Sequence, residues 1–336
     1  MASQSPLKQP AQQQLTYLVT GSAGYLGRHL VQGLLNLPVK RVFGICLPGD
    51  PDQLKEKRSF HSLELDILDA KLPSLLEEIQ PDVIIHAVGV AKNAPLKDQL
   101  TVHVEGTRHL LQSVVDAQLT SRIVLVGSSA EYGIYPKAVD ESTIARPVTP
   151  YGVSKYSQTL VAQLFAQKYH LPVVIGRLFN PYGESPKHFG VASIASQIAN
   201  AEAEIGQNEA FTPKIKLHKL QSFRDYIHIR DVVSGLIALS ERGYPGELYN
   251  LASGNATPLR LVLEGLLNHS KLNRKQIEVQ SLPQQEADFS QGIIQKIISH
   301  TGWRPQVTME QGLREELEYW RGLSDAESEF LAAGRS

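Results

Sequence analysis

Tyr17-Leu18-Val19-Thr20-Gly21-Ser22-Ala23-Gly24-Tyr25-Leu26-Gly27 carries a short apolar run into three glycines spaced three apart, and a helical pattern follows. The physical use of that spacing is a bed for a dinucleotide pyrophosphate. Gly21 allows the tight turn, Gly24 lets the backbone approach the phosphates, and Gly27 lets the helix pack on the sheet. Unpaired N–H groups of the first helical turn, which includes Tyr25 and Leu26, then face the anion. Three glycines alone also describe an ordinary turn. The strand before them and the helix after them are the context the motif requires.

Outward from this stretch the pattern alternates. Residues 15–20 predict a central strand and 26–36 a helix. Val42–Leu47, Leu63–Leu65, Val83–His86, Ile123–Val126 and Val173–Leu178 predict further strands, with helices near 73–79, Val102–Ala117 and Tyr151–Tyr169. Strands separated by helices imply parallel pairing through right-handed crossovers. Unbroken apolar strands suit a sheet covered on both faces. The expected fold is α/β, a Rossmann-type doubly wound parallel sheet. Past Asn180 the texture changes to helical segments (Val191–Glu204, Asp231–Glu241, Leu259–Leu267, Ile294–His300, Met309–Arg321), one strand at Glu247–Leu251, and Pro- and Lys-rich loops. The expected organisation is a tail over 1–14, a dinucleotide-binding domain over 15–180, a smaller substrate-binding lobe over 181–323 with possible crossings back to the sheet, and a second tail over 324–336.

Composition narrows the class. The chain has 336 residues, 33 basic and 34 acidic, with a formal net charge of −1. No block of like charge suggests a nucleic-acid surface. The single cysteine, Cys46, excludes an internal disulfide and suits a reducing, cytoplasmic setting. No apolar stretch reaches spanning length, and the first residues lack an apolar signal core. The eleven histidines show no HExxH pattern, no CxxC is present, and no metal is expected.

Two further constellations carry chemistry. Tyr151 and Lys155 are four apart, which places both on one helix face. A phenol is a poor acid–base group at neutral pH, but a neighbouring ammonium favours the phenolate. The pair can then move a proton at a hydroxyl or carbonyl oxygen. Gly127-Ser128-Ser129-Ala130-Glu131-Tyr132 follows a buried strand, where an open α/β sheet faces its ligand crevice. A serine there can donate to a carbonyl that gains charge. Turn formation and helix capping are the other uses of serine at such a place.

With these motifs in order, the chain resembles an extended short-chain dehydrogenase/reductase of the nucleotide-sugar-modifying kind. The resemblance runs from residue 15 to about 321. It also takes in Asp66-Ile67, Val104-Glu105-Gly106-Thr107, Arg177-Leu178-Phe179-Asn180, Arg224-Asp225-Tyr226, Asp231-Val232-Val233, Gly246–Asn250 and Gly302-Trp303-Arg304-Pro305. It implies that Asp66 and Ile67 flank an adenine and that Tyr151 donates or accepts the proton. Lys155 would hold the nicotinamide ribose and lower the tyrosine pKa. Ser128, with Ser129 as the alternative, would bond the sugar oxygen. Asn180 would touch the diphosphate and Arg224 the nucleotide. Dehydratases of this family place a glutamate two before Tyr132; here that position is Ala130, which argues against dehydration.

The later motifs resemble GDP-4-keto-6-deoxy-mannose reductases. The implied reaction is NAD(P)H-dependent reduction of the C4 ketone of a nucleotide-linked 4-keto-6-deoxy sugar, with a nucleotide-sugar 4-epimerase acting through a transient ketone as the alternative. Several positions depart from those reductases. His103 stands where the family has asparagine, His218-Lys219 replaces Gly-Asn, and Gln284 and Gln285 lie where an arginine is expected. The usual acid at the end of the second strand is missing near Cys46 and Leu47, with Asp50 slightly late. With Lys55, Lys57 and Arg58 downstream, this leans the cofactor expectation toward NADP over NAD. The resemblance further implies a homodimer built on helices near 105–117 and 153–169. Leu110, Leu111, Val114, Leu160, Val161 and Leu164 would serve either that interface or the internal sheet.

Overall fold

A computed structural model describes residues 14–50, 59–207, 212–217, 220–274, 277–281 and 289–323. Residues 1–13 of the first expected tail, all of the second, and Lys55, Lys57, Arg58, His218, Lys219, Gln284 and Gln285 lie outside the described residues. The strands are β1 (Thr16–Thr20), β2 (Arg41–Cys46), β3 (Phe60–Glu64), β4 (Val83–His86), β5 (Arg122–Ser128), β6 (Val173–Leu178), β7 (Asn180–Tyr182), β8 (Lys214–Leu217), β9 (Phe223–His228), β10 (Leu248–Leu251), β11 (Ala256–Pro258) and β12 (Glu278–Ser281). The helices are α1 (Tyr25–Leu35), α2 (Leu72–Ile79), α3 (Leu96–Leu100), α4 (Gly106–Asp116), α5 (Pro150–Tyr169), α6 (Gly190–Gln207), α7 (Ile229–Arg242), α8 (Leu259–His269), α9 (Gln295–Thr301) and α10 (Met309–Gly322).

Seven strands form one sheet in the order β10-β6-β5-β4-β1-β2-β3. Every neighbouring pair in it is parallel. The order reverses at β1, which pairs with β2 on one side and β4 on the other. A doubly wound sheet opens its ligand crevice at the carboxyl end of that reversal. Thr20, the last residue of β1, lies there beside Ile45 and His86.

Successive strand residues face opposite sides, so each strand feeds two cores. Tyr17, Val19, Val124 and Val126 pack with α1, α7 and α9 through Leu30, Leu34, Val232, Leu236 and Ile297. Leu18, Ile123 and Leu125 pack with α2, α4 and α5 through Leu72, Leu76, Leu110, Val114 and Phe165. Each fully buried leucine or valine adds about 1.5–3 kcal/mol. This two-sided burial explains why the strands read as unbroken apolar runs. A third core joins α6, α8 and α10 around Ile194, Ile198, Leu266, Leu313, Leu317 and Trp320.

The fold departs from the expectations at several places. The third strand spans 60–64 rather than 63–65. The helix expected over 102–117 begins earlier, as α3, and passes through a π-helical turn at Thr101–Glu105 before α4. Five short strands in 180–281 escape a pattern reading because each is only three to six residues long. The chain does return to the sheet: β10 pairs with β6, and α7 and α9 cover the same face as α1.

Candidate active site

The glycine stretch forms the expected cradle. Gly21 takes φ 75°, and its N–H and that of Ser22 both donate to Ile45 O, at 2.7 and 3.0 Å. That ties the turn to β2. Gly24 caps α1 with no side-chain hydrogen bond, so no side chain occupies the helix N-terminus. A Cβ at Gly27 would stand 1.9 Å from Gly21 O, which no other residue tolerates. Unpaired first-turn N–H groups at an uncapped N-terminus fit an anionic pyrophosphate. Tyr25 belongs to this turn by its backbone; its hydroxyl donates instead to Gly183 O at 3.0 Å, tying α1 to the loop after β7. Leu26 packs its side chain into the core.

Asp66 is exposed and accepts from Leu68 N–H at 2.9 Å, while Ile67 is buried beside Gly106. Glu64, last in β3, is the cross-strand neighbour of Cys46 and accepts from Gly49 N–H at 3.3 Å. A carboxylate therefore stands against the loop after β2.

Ser128 ends β5 and opens a short 3₁₀ turn over Ser129–Glu131. Its Oγ accepts from Ala130 N–H at 3.2 Å, while Glu131 Oε1 accepts from Ser128 N–H at 2.7 Å. The first turn of α5 lies directly on this turn: a Cβ at Gly152 would meet Ala130 O at 2.5 Å. Pro150 opens α5, and Thr149 caps it by accepting from Gly152 N–H at 3.0 Å. Tyr151 is thereby delivered to the neighbourhood of Ser128, whose hydroxyl acts to lower the phenol pKa. Ser129 is half-buried and lines a separate small recess with Tyr132, Tyr135 and Phe179.

The tyrosine pKa expectation requires correction. Burial pushes the Tyr151 phenol up to about 12; the Ser128 hydrogen bond lowers it and Glu131 raises it. Lys155 does not depress it here, because its ammonium is held elsewhere. Its Nζ donates to Val126 O at 2.7 Å and Gln158 Oε1 at 2.5 Å. Burial, opposed by Glu131, brings Lys155 down to about 8. Behind it, Gln158 Nε2 donates to Thr107 Oγ1 at 2.8 Å, and His86 bridges Thr107 and Thr20 at 3.0 and 2.7 Å. Burial, with Lys155 adding to it, lowers His86 to about 3, which keeps it neutral. Sequence reasoning gave His86, Thr107 and Gln158 no role, although Thr107 stood in one of its motifs, since each lies on a different element and only the sheet brings them together.

Glu131 is fully buried and engaged. Its Oε2 accepts from Thr159 Oγ1 at 2.9 Å and Arg177 Nε at 2.8 Å. The Arg177 guanidinium also lies 4.4 Å from the Tyr132 ring centroid. Burial opposes the arginine charge, but Glu131 and Tyr132 hold its pKa above the ordinary value. Glu131 thus serves as a buried counter-ion and has no open face toward a substrate.

On the open side, Arg224 is partly exposed near the start of β9, and Asn180 Nδ2 donates to Asp225 O at 3.0 Å. Lys92, in the loop after β4, escaped sequence reasoning. Its Nζ stands 5.7 Å from the Tyr151 ring centroid. The surrounding protein, and then Arg224, lower its pKa, although its side chain stays accessible from the cleft. His188 in turn is lowered by burial and by Lys92. Lys92 therefore places positive charge beside Tyr151, and Arg224 is close enough to Lys92 to act on its pKa. No group of three or more metal-ligating side chains occurs among the described residues. None of their helices is long and apolar enough to cross a membrane.

The model of the NAD dependent epimerase/dehydratase family matches residues 17–252. The chain is 26% identical over 312 residues to GDP-6-deoxy-D-mannose reductase of Pseudomonas aeruginosa, covering 90% of this chain and 96% of that one. It is 25% identical over 331 residues to UDP-glucose 4-epimerase of Mycolicibacterium smegmatis, covering 91% and 99%. The crystal structure of a putative epimerase from Burkholderia cenocepacia aligns with a TM-score of 0.80 at 26% identity, over 92% of this chain and 99% of that one.

Proposed function

The chain belongs to the NAD dependent epimerase/dehydratase family, and on that premise we propose that it carries out NAD(P)-dependent redox chemistry at C4 of a nucleotide-diphosphate sugar, as a 4-epimerase acting through a transient 4-keto sugar. The observation that carries the reading is the convergence of Ser128, at the end of β5, with Tyr151, in the first turn of α5 packed on the Ser129–Glu131 turn, with Lys155 buried and anchored on the same helix and Glu131 locked to Arg177. A positioned phenol and hydroxyl can exchange a proton with the C4 oxygen. The only carboxylate of the Ser129–Glu131 turn is consumed by its counter-ion, which leaves no base there for a dehydration.

When bound at the glycine cradle, the nicotinamide would supply hydride exchange with C4. The protein's residues do the rest. Tyr151 holds or moves the proton at the C4 oxygen, and Ser128 donates to that oxygen as charge develops. Lys155, one helical turn after Tyr151 and held by Val126 O and Gln158, would meet the ribose. Lys92 and Arg224 face the diphosphate, with Asn180 alongside. Glu64 favours NAD over NADP, because a carboxylate accepts from ribose hydroxyls and repels a 2′-phosphate. This revises the lean toward NADP, and an epimerase that recycles its cofactor within one turnover agrees with it.

Reduction of a 4-keto-6-deoxy sugar is the second reading. It is favoured by the 26% identity to the P. aeruginosa reductase over nearly the whole of both chains. Chromatographic separation with mass spectrometry of products from UDP-, GDP- and dTDP-linked sugars and their 4-keto derivatives, with and without added NADH or NADPH, decides between them. Epimerisation gives an isomer of unchanged mass with no added reductant. A product heavier by two hydrogens, formed with stoichiometric oxidation of cofactor, establishes reduction instead.

We further propose a homodimer through α5. Leu110, Leu111 and Val114 are buried inside the subunit, so they belong to the sheet. Val161 is partly buried, whereas Val153, Leu160 and Leu164 on α5 are 41%, 47% and 57% exposed. They supply an apolar face for a second copy.

A further inference from the structure

We propose that His103 is a positioning residue for the reaction: through Ser154 and the loop after β4 it sets the placement of Tyr151 in the cleft. The inference rests on Tyr151 being the proton-transfer group. His103 lies in the π-helical turn Thr101–Glu105, where Gly106 N–H reaches back to Thr101 O. Such single-turn insertions re-aim a side chain and gather at functional sites. Here the turn points the imidazole inward, and the residue is only 1% exposed.

Its three contacts have a defined polarity. Val90 N–H donates to His103 Nε2 at 3.3 Å, so Nε2 must be the unprotonated nitrogen. The proton then sits on Nδ1, which faces Ser154 Oγ at 2.9 Å. Ser154 Oγ has its own acceptor, the Tyr151 carbonyl, at 2.9 Å. The chain therefore runs one way: His103 Nδ1–H to Ser154 Oγ, and Ser154 O–H to Tyr151 O. The ring edge also meets the Tyr151 ring, at 5.5 Å between centroids and 84° between planes. One side chain thus joins three parts of the cleft: the loop bearing Lys92, the first turn of α5, and the phenol ring.

A protonated His103 would set Nε2–H against Val90 N–H. Burial first, then Lys155 and His86, lower it to about 2, so the arrangement keeps one tautomer throughout the working range. His103 has no path to a reacting atom except through Tyr151, which is why it positions and does not itself transfer a proton.

The test uses the full chain with His103→Phe, His103→Asn, Ser154→Ala and the His103→Phe/Ser154→Ala double variant. Turnover is measured on the panel sugar that the wild type converts, beside NAD titration and thermal melting. His103→Phe keeps a ring but no hydrogen bonds. Its kcat is expected to fall about 10-fold or more, since small misplacements of a reacting group are costly. The KM and the NAD affinity should stay within about 2-fold, the split expected when only the transition state is affected. His103→Asn can still accept from Val90 and donate to Ser154, so it should be faster than His103→Phe. The double variant should be no slower than the slower single, because both act through one link. Wild-type kcat in His103→Phe, multiplicative losses in the double variant, or parallel loss of kcat, NAD affinity and melting temperature would each overturn the proposal. Tyr151→Phe runs as the control: if it retains turnover, the Tyr151 reading fails instead. Independently of turnover, ¹⁵N-histidine spectra should show one histidine, absent in His103→Phe, with unprotonated Nε2 and protonated Nδ1 across neutral pH. The opposite tautomer would refute the hydrogen-bond chain.

Discussion

Replacing Glu131 with glutamine separates a structural role from a catalytic one. Glu131 is fully buried, and its partner Arg177 is 4% exposed. The glutamine keeps the acceptor for Ser128 N–H, so the Ser128 turn is preserved. It loses the negative charge at 2.8 Å from Arg177 Nε. Breaking a buried pair by neutralising one member leaves the other charge uncompensated, at a cost of about 3–5 kcal/mol. The retained Ser128 contact puts the expected loss at the lower end, about 3 kcal/mol. With a denaturant slope of roughly 3 kcal/mol per molar, the urea midpoint should fall on the order of 1 M. Urea unfolding followed by circular dichroism measures this, and turnover is assayed at a temperature where the variant is fully folded. Turnover of the folded protein should stay near wild type, because Glu131 does not face the cleft. An unchanged midpoint together with abolished turnover would refute the reasoning and restore Glu131 as a candidate base.

Four further outcomes are expected. Tyr151→Phe should lower kcat by about 100-fold or more while leaving NAD binding, read by fluorescence titration, nearly intact; turnover like wild type would remove Tyr151 from the mechanism. For Lys155 the sign follows from its folded pKa of about 8 against the ordinary lysine value of 10.5. Above about pH 8 the unfolded chain holds the proton that the folded one has released, so stability relative to Lys155→Met should rise between about pH 8 and 10.5. Paired unfolding curves across that window check it, and a flat difference would show that the lysine stays charged. Glu64→Ala should weaken NAD by roughly 10-fold, the worth of a hydrogen bond to a charged acceptor, and improve NADP relative to NAD; unchanged selectivity would place the ribose elsewhere. Leu164→Glu should convert a dimer to monomer in sedimentation velocity without lowering the melting temperature of the monomer, whereas an unaltered dimer would move the interface off α5.

The glycine stretch and the apolar strands were sufficient to determine the doubly wound sheet, and the Tyr151–Lys155 spacing pointed to the chemistry proposed at its crevice. These features are local: a turn that only glycine permits, a strand buried on both faces, and two side chains one helical turn apart leave their mark in consecutive residues. The pattern stayed silent where partners come from distant parts of the chain. Glu64 reaches the end of β2 only because β3 lies beside it, so a search along β2 could not find it. Lys92 faces Tyr151, and His86, Thr107 and Gln158 converge behind Lys155, only once β4, α4 and α5 are stacked. His103 was visible as an unusual residue, but its inward aim depends on a π-helical turn that no periodicity announces. The direction of the tyrosine pKa was likewise decided by burial and by where Lys155 spends its hydrogen bonds. Local backbone preferences and residue spacing are written along the chain, whereas desolvation and long-range pairing exist only after it has folded.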